Sequence, residues 1–319
     1  MTATLPQEVQ DVFDRFVTTE YTTIDAKGQP ITWPVTPYYE PGAPTIDITT
    51  GIGYPKKADD AARHPKVSML FSDPNGSGID SGIVVMVQGM AEVDEANVDA
   101  NRERYFRESG EKLPATKEMH PPKFLMGWMD WYYARIYVKV RPERVLVWAD
   151  GDLDKPPEIH DTHMEEVRTG RDQEPIEPPP PVPAFEPVWD ERMDELGERH
   201  PTAVLSWPGP DGFPLSARLE VRPNDSERRI KVFSEAAGLP IVAGPACITA
   251  HQHAPDFAWQ ENFQVRGALS QEPEGWELAP AKMVGGFEIP NESQLAGLKR
   301  NFAKARKFRK IYKERVSKS

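Results

Sequence analysis

One cysteine, Cys247, stands in a chain of 319 residues, so no intramolecular disulfide can form. Its setting, PACITA, reads as a buried strand thiol rather than a nucleophile. A lone cysteine suits a reducing compartment. No apolar run reaches the roughly eighteen residues that a membrane-spanning helix needs. The opening MTATLPQEVQDVF lacks the basic stretch and apolar core of a secretory signal. These readings make the cytoplasm the expected location. GxSxG, P-loop and GxGxxG motifs are all missing, which removes support for hydrolase, NTPase and Rossmann chemistry. Two histidine pairs, His160-x-x-His163 and His251-x-His253, have metal-like spacing, but no cysteine accompanies the first. The sequence alone gives neither as a metal site.

Proline, by contrast, is abundant at 33 residues. Much of it falls in residues 149–187, which are acidic, poor in apolar side chains and closed by a PPPP run. Such a segment cannot bury enough surface to form a core and reads as an extended linker. It separates two parts, 1–148 and 188–290, with a tail at 291–319. Net charge is −12 but uneven: from Lys299 onward the tail carries +9, leaving −21 on the rest. An acidic body argues against general nucleic-acid binding.

The two parts look alike. GQPITWPV (Gly28 to Val35) matches GFPLSARL (Gly212 to Leu219) at an offset of 184. PKVSML matches PACITA at 180, and VQGMAE matches VRGALS at 178. Three matches in one order imply a tandem repeat with small deletions in the second copy. In the first copy, Pro6 to Phe16 reads as a helix with Val9, Val12, Phe13 and Phe16 on one face. Strands are expected at Thr18–Ile24, Pro30–Tyr39, Thr45–Thr50, Lys66–Ser72, Ile83–Asp94, Tyr132–Val140 and Arg144–Trp148. Helices are expected at Lys57–Arg63 and Glu95–Ser109. Antiparallel strands with short helices make a small barrel, because closure removes exposed edges.

The segment IDITTGIGYPKKADDAARHPKV is the strongest candidate site. A strand ends in Thr49 and Thr50, the chain turns at Gly51 and Gly53, and Lys56 and Lys57 open a helix. Hydroxyls, free N–H groups and a cationic helix start suit a phosphate; a solvated surface turn is the plainer alternative. The arrangement resembles the pyridoxamine 5′-phosphate oxidase-like split barrels. Their junction runs from threonine through Ser-Arg-Lys into a helix closed by Asn-Pro or Asp-Pro. Here Lys56 stands at the arginine, Lys57 lies eight residues before Pro65, and Pro55 replaces the serine. VQGMAE and the run Arg135 to Trp148 are similar to the family's later strands. The likeness covers residues 5–150 well and 188–290 faintly.

That resemblance implies a mainly β chain of two split barrels, the second degenerate, arranged as an internal pseudo-dimer or as a homodimer, with a C-terminal amphipathic helix. It implies FMN, with a deazaflavin as the alternative and haem after that. The ring would lie on Trp33, Pro34, Val35 and Thr36, the phosphate on Thr49, Thr50, Lys56 and Lys57, and the ring edge near Gln88. Trp33 has a competing role in packing. The activity implied is an oxidoreductase acting on a small molecule, with NAD(P)H as a possible reductant. A binding protein without turnover is the rival. The second copy's FSEAAGLPIVAGPACI has no lysine, which implies one cofactor per chain. Arg218 or Arg266 could bring charge across the interface, although a surface ion pair is the simpler role for each. From Asn291 the tail reads as a cationic helix with Leu295, Leu298, Phe302, Ala305, Phe308, Ile311 and Tyr312 along one side. Packing on the barrels is its expected use. An anionic membrane or nucleic acid, another chain, or the cofactor groove are the alternatives.

Overall fold

The computed structural model describes residues 5–113, 130–162, 184–233, 238–273, 275–286 and 306–316. The first barrel begins with α1 (Gln7–Arg15), whose Val9, Val12 and Phe13 are buried at the expected spacing of three and four. Next come β1 (Thr19–Ile24) and β2 (Pro30–Val35), joined by a tight turn. Asp25 Oδ1 accepts from the backbone of Lys27 and Gln29, and Gly28 takes the left-handed φ of 77° that the turn needs. There follow β3 (Ile46–Gly51), α2 (Lys56–Arg63), β4 (Lys66–Phe71), β5 (Val84–Asp94), α3 (Val98–Lys112), β6 (Arg135–Trp148) and β7 (Glu158–Asp161). The sheet runs β2-β1-β4-β5-β6-β3, with β7 added on β6. It encloses Ile46, Ile48, Val67, Met69, Val85, Val87, Ile136 and Val138.

The second half holds β8 (Thr202–Pro208), β9 (Pro214–Asn224), β10 (Arg229–Phe233), β11 (Gly244–His253), β12 (Gln260–Glu272) and β13 (Gly275–Gly285). These close in the order β10-β13-β12-β11-β8-β9. When β8 to β13 are matched to β1 to β6, the two orders are the same. The second barrel closes through β9 and β10. In the first, the chain beyond β2 reaches β3 only by a single bridge from Tyr38 to Asp47.

Three expectations are corrected. The second strand stops at Val35 rather than Tyr39, because the chain leaves the β1 ladder there. The two closing strands are one, β6, and Asp130–Tyr133 is a helical turn. The break expected near Pro142 is a bulge: Gln88 faces Arg144 while Gly89 faces Pro142. A proline is tolerated there, where the ladder is already interrupted. The same shift recurs where Arg266 faces Lys282 and Gly267 faces Pro280. Both glycines are required by close approach, since a Cβ would lie 2.5 Å from the Arg141 carbonyl oxygen at Gly89 and 1.9 Å from that of Ala279 at Gly267. Third, β7 lies inside the expected linker, because an edge strand needs only backbone partners, and its Ile159 stays exposed. The proline run itself lies outside the described residues.

The barrels meet through a ring of four fully buried hydroxyls. Thr22 and Thr32 are 2.9 Å apart, Ser206 and Ser216 2.8 Å, Thr32 and Ser206 2.7 Å, and Thr22 and Ser216 3.1 Å. Thr22 and Thr32 correspond to Ser206 and Ser216 at the offset of 184, so the ring straddles a local twofold. A closed hydroxyl ring satisfies each member without an apolar core. Flanking it, Gln29 donates to the Ala246 carbonyl, and Lys66 Nζ donates to the Asp211 carbonyl at 2.6 Å. Arg144 pairs with the Asp211 carboxylate. Cys247 is fully buried in β11, and burial pushes its thiol up, as a structural strand thiol requires.

A C-terminal helix over 306–316 packs on the first barrel. Phe308 stacks on Trp131 with ring centres 5.3 Å apart, and Arg315 binds Asp59 and Glu95 at 2.8 Å each. Leu295, Leu298, Phe302 and Ala305 of the expected stripe lie outside the described residues. Among the described residues no helix is long and apolar enough to cross a membrane.

Candidate functional site

β3 delivers the chain to the predicted turn, and strand alternation separates its two threonines. Thr50 is buried and donates to the Tyr54 carbonyl, while Thr49 lies half-buried on the opposite face. The two hydroxyls therefore do not converge on one phosphate. Lys56 is exposed and bonded to Asp60 at 2.8 Å, with Asp25 at 4.0 Å. Asp60 also takes Arg63, so Lys56 serves the start of α2 rather than an open site.

Lys57 differs. Its ammonium points inward, 5.9 Å from the centre of the Tyr54 ring. Burial, reinforced by the charge of Arg135, pulls its pKa down to about 8. Arg135 opens β6 opposite Gly51 and is 5% exposed. Its guanidinium lies 3.8 Å from the Tyr105 ring centre and 4.5 Å from that of Tyr132, with Nη1 3.5 Å from the Tyr54 hydroxyl. Its Nε is buried with no hydrogen-bond partner. Burial pushes the hydroxyls of Tyr54 and Tyr105 up, so they stay neutral and supply no compensating charge. Among the described residues, neither Lys57 nor Arg135 has a carboxylate in an ion pair. Two neighbouring cations without an anion are unfavourable unless one is supplied from outside.

Trp33, Pro34, Val35 and Thr36 run half-exposed along and just past the end of β2, one strand away from β1, on which α2 packs. Gln88 is buried and its amide donates to the Pro214 carbonyl of the second barrel, so it ties the barrels together. Arg218 does reach across the interface, but to a protein carboxylate: Nη2 is 2.6 Å from Glu20 Oε1, and Glu20 is fully buried. Arg266 bonds Gln264 in its own strand, and burial lowers its pKa.

The residues that the sequence did not single out are Arg135 and the tyrosines around it. A charged residue heading the apolar run RIYVKV was the available signal. Glu20 was hidden similarly, in the strand TEYTTI.

No protein-family model matches the chain, and no curated protein matches it. Solved structures do, over about half of this chain. A conserved hypothetical protein of Mycobacterium tuberculosis is 21% identical over 49% of this chain and 91% of its own, with a TM-score of 0.36. A protein described as an F420 reductase is 16% identical over 44% and 98%, at 0.33. A Clostridium acetobutylicum protein related to general stress protein 26, of the pyridoxinephosphate oxidase family, is 12% identical over 50% and 95%, at 0.32. Each is similar to about half of this chain.

Proposed function

We propose that this chain is a split-barrel oxidoreductase that uses a flavin-type cofactor, FMN in the first reading, and holds the phosphate on Lys57 and Arg135. One observation carries the reading: a lysine and a buried arginine share the Tyr54 turn with no carboxylate of the described residues to neutralise them. An orphaned guanidinium Nε and an ammonium with no carboxylate partner among the described residues fit a phosphate dianion, which offers several acceptor oxygens. Trp33, Pro34, Val35 and Thr36 give the ring a half-exposed strand to lie on. A bound flavin would supply hydride chemistry of its own. The chain's part is to bind, to orient, and to keep the Lys57 ammonium protonated against the phosphate.

A deazaflavin is the second reading, because the cationic C-terminal helix sits against Tyr54 through Phe308, 5.4 Å between ring centres. A cofactor carrier without turnover is the rival of another class. The second barrel has no counterpart of α2 among its described residues, and its sequence there has no lysine, so one cofactor per chain is expected. The test is titration of cofactor-stripped protein with FMN, deazaflavin and haem, followed by NAD(P)H oxidation. One flavin per chain with turnover supports the proposal. Binding without turnover favours the carrier, and no binding of any of the three overturns the reading.

A further inference from the structure

The local twofold relates two flanks of the barrel interface, and their charges do not match. On the first flank, Gln88 donates to the Pro214 carbonyl, Lys66 donates to the Asp211 carbonyl, and Arg144 pairs with the Asp211 carboxylate. An acid in the β8–β9 turn thus meets the cations of the first barrel. Strand pairing fixes the counterparts on the second flank. Gln88 faces Ser68 as Arg266 faces Cys247, so Arg266 stands where Gln88 does. Lys282, opposite Arg266, then stands where Arg144 does, opposite Gln88. Ile24 faces Pro30 as Pro208 faces Pro214, which puts Lys27 in the place of Asp211. The acid of the first flank is a third cation on the second.

Contacts along β2 place Arg266 at this flank. Thr249 and Gln264 both donate to the Thr32 carbonyl, and Gln29 donates to the Ala246 carbonyl at 2.8 Å. Arg266 lies two residues beyond Gln264 on the same strand face, and therefore further along β2 toward the Asp25 turn. Its guanidinium is near enough to Asp25 and Asp60 for their charges to act on it. Both carboxylates are already engaged. Asp60 binds Lys56 at 2.8 Å and Arg63 at 3.1 Å, and Asp25 accepts from two backbone N–H groups of its own turn. Arg266 Nε donates to Gln264, and neither Nη has a hydrogen-bond partner among the described residues. Lys27 and Lys282 are exposed, and neither pairs with a carboxylate of the described residues. Arg266 and Lys282 face each other directly across β12 and β13, where like charges are unfavourable.

We propose that Arg266, Lys282 and Lys27 bind a small molecule through a phosphate or diphosphate group, the ligand's anion taking the place that Asp211 holds on the other flank. A guanidinium with both Nη groups open offers a phosphate a two-pronged contact, and the two lysines add charge without demanding a geometry. The site is independent of the flavin reading, since it uses none of the residues assigned to the cofactor. The test is calorimetric titration of the full chain with inorganic pyrophosphate in a phosphate-free buffer of low ionic strength. Saturable binding is expected, and Arg266→Gln should weaken it by roughly tenfold or more. Lys27→Asp is the sharper variant, because it installs the counterpart of Asp211 and gives Arg266 and Lys282 an internal carboxylate. It should abolish binding without lowering the melting temperature, whereas Lys27→Gln, which only removes a charge, should weaken binding less. Lys155→Gln, in the β6–β7 loop and held by Asp150, should leave binding unchanged. No binding at millimolar pyrophosphate, or equal binding by wild type, Arg266→Gln and Lys27→Asp, would overturn the site. So would binding that Lys57→Ala removes and Arg266→Gln does not, since the anion would then sit on the cofactor's anchor.

Discussion

Replacing Arg218 with methionine strands a charge in the barrel interface. Glu20 is fully buried, and its Oε1 receives Arg218 Nη2 at 2.6 Å and His251 Nε2 at 2.7 Å, with Ser72 Oγ 3.1 Å from both oxygens. Burial alone would raise the Glu20 pKa, but Arg218 and His251 outweigh it and hold the carboxyl below its ordinary value. Breaking a buried pair from one side costs about 3–5 kcal/mol. His251 and Ser72 remain, so the lower end, about 3 kcal/mol, is expected; at about 2 °C per kcal/mol for a chain above 250 residues, Tm falls by roughly 6 °C. The pH dependence has a definite sign. A carboxylate whose folded pKa is depressed contributes stability above its unfolded pKa of about 4.3, and that contribution is lost as pH falls through the folded value. In the variant the Glu20 carboxyl protonates more readily, so the gap from wild type narrows between pH 7 and pH 4. Glu20→Gln combined with Arg218→Met should be less destabilised than Arg218→Met alone, because no buried charge is left. Urea unfolding at both pH values measures all of this. A loss under about 1 kcal/mol at pH 7, or a gap that does not narrow at pH 4, refutes the argument, since the pair would then be no more than an exposed one.

Lys57→Ala should weaken FMN by about ten- to a hundredfold while leaving riboflavin almost unchanged, because only FMN carries a phosphate; equal losses in calorimetric titration would make Lys57 structural. With its pKa near 8, Lys57 loses its charge as pH rises, so FMN affinity should fall above pH 8, and Lys57→Arg should flatten that profile. Gly267→Ala forces a Cβ to within 1.9 Å of the Ala279 carbonyl oxygen and should give insoluble or grossly destabilised protein. Gly28→Ala meets open space and should cost only about 1–2 kcal/mol for its left-handed φ. Truncation before Asn291 should lower the melting temperature, and Phe308→Ala, which removes a half-buried ring from Trp131, should account for about 1–3 kcal/mol of that loss. Unchanged melting of both would remove the packing role of the helix.

The fold was legible because period and punctuation agree locally. The apolar spacing in VQDVF marked α1, the Asp25 turn marked the first hairpin, and the displaced matches GQPITWPV and GFPLSARL marked two barrels with one strand order. Pro142 misled because its effect depends on a bulge, which is set by the strand opposite. The site was less legible. Lys56 and Lys57 are neighbours in sequence, but a helix turns them to different sides, one onto Asp60 and the other toward Arg135. Thr49 and Thr50 are parted by the pleat. Arg135 becomes a neighbour of Lys57 only when β6 pairs with β3, a contact spanning 84 residues from Gly51 to Arg135. Pairing at that range leaves no local periodicity to read.

The same reasoning explains why the two halves of the interface are not equivalent. Around the hydroxyl ring, threonine or serine occupies each corresponding position, so the twofold is preserved where the barrels touch. Away from it the copies diverge in opposite directions. The first keeps α2 and its lysines, while the second shortens that connection and closes β9 onto β10. Conversely, Arg218 occupies the position that holds Pro34 in the first barrel, His251 that of Ser72, and Glu20 matches Val204. The buried ion network thus joins an acid and an arginine whose counterparts are apolar to Ser72 and His251, which are each other's counterparts. An apolar substitution of such a network is often neutral or stabilising. What the network adds is a condition on registry: the buried Glu20 carboxylate is satisfied only while Arg218 and His251 of the second barrel stand against it.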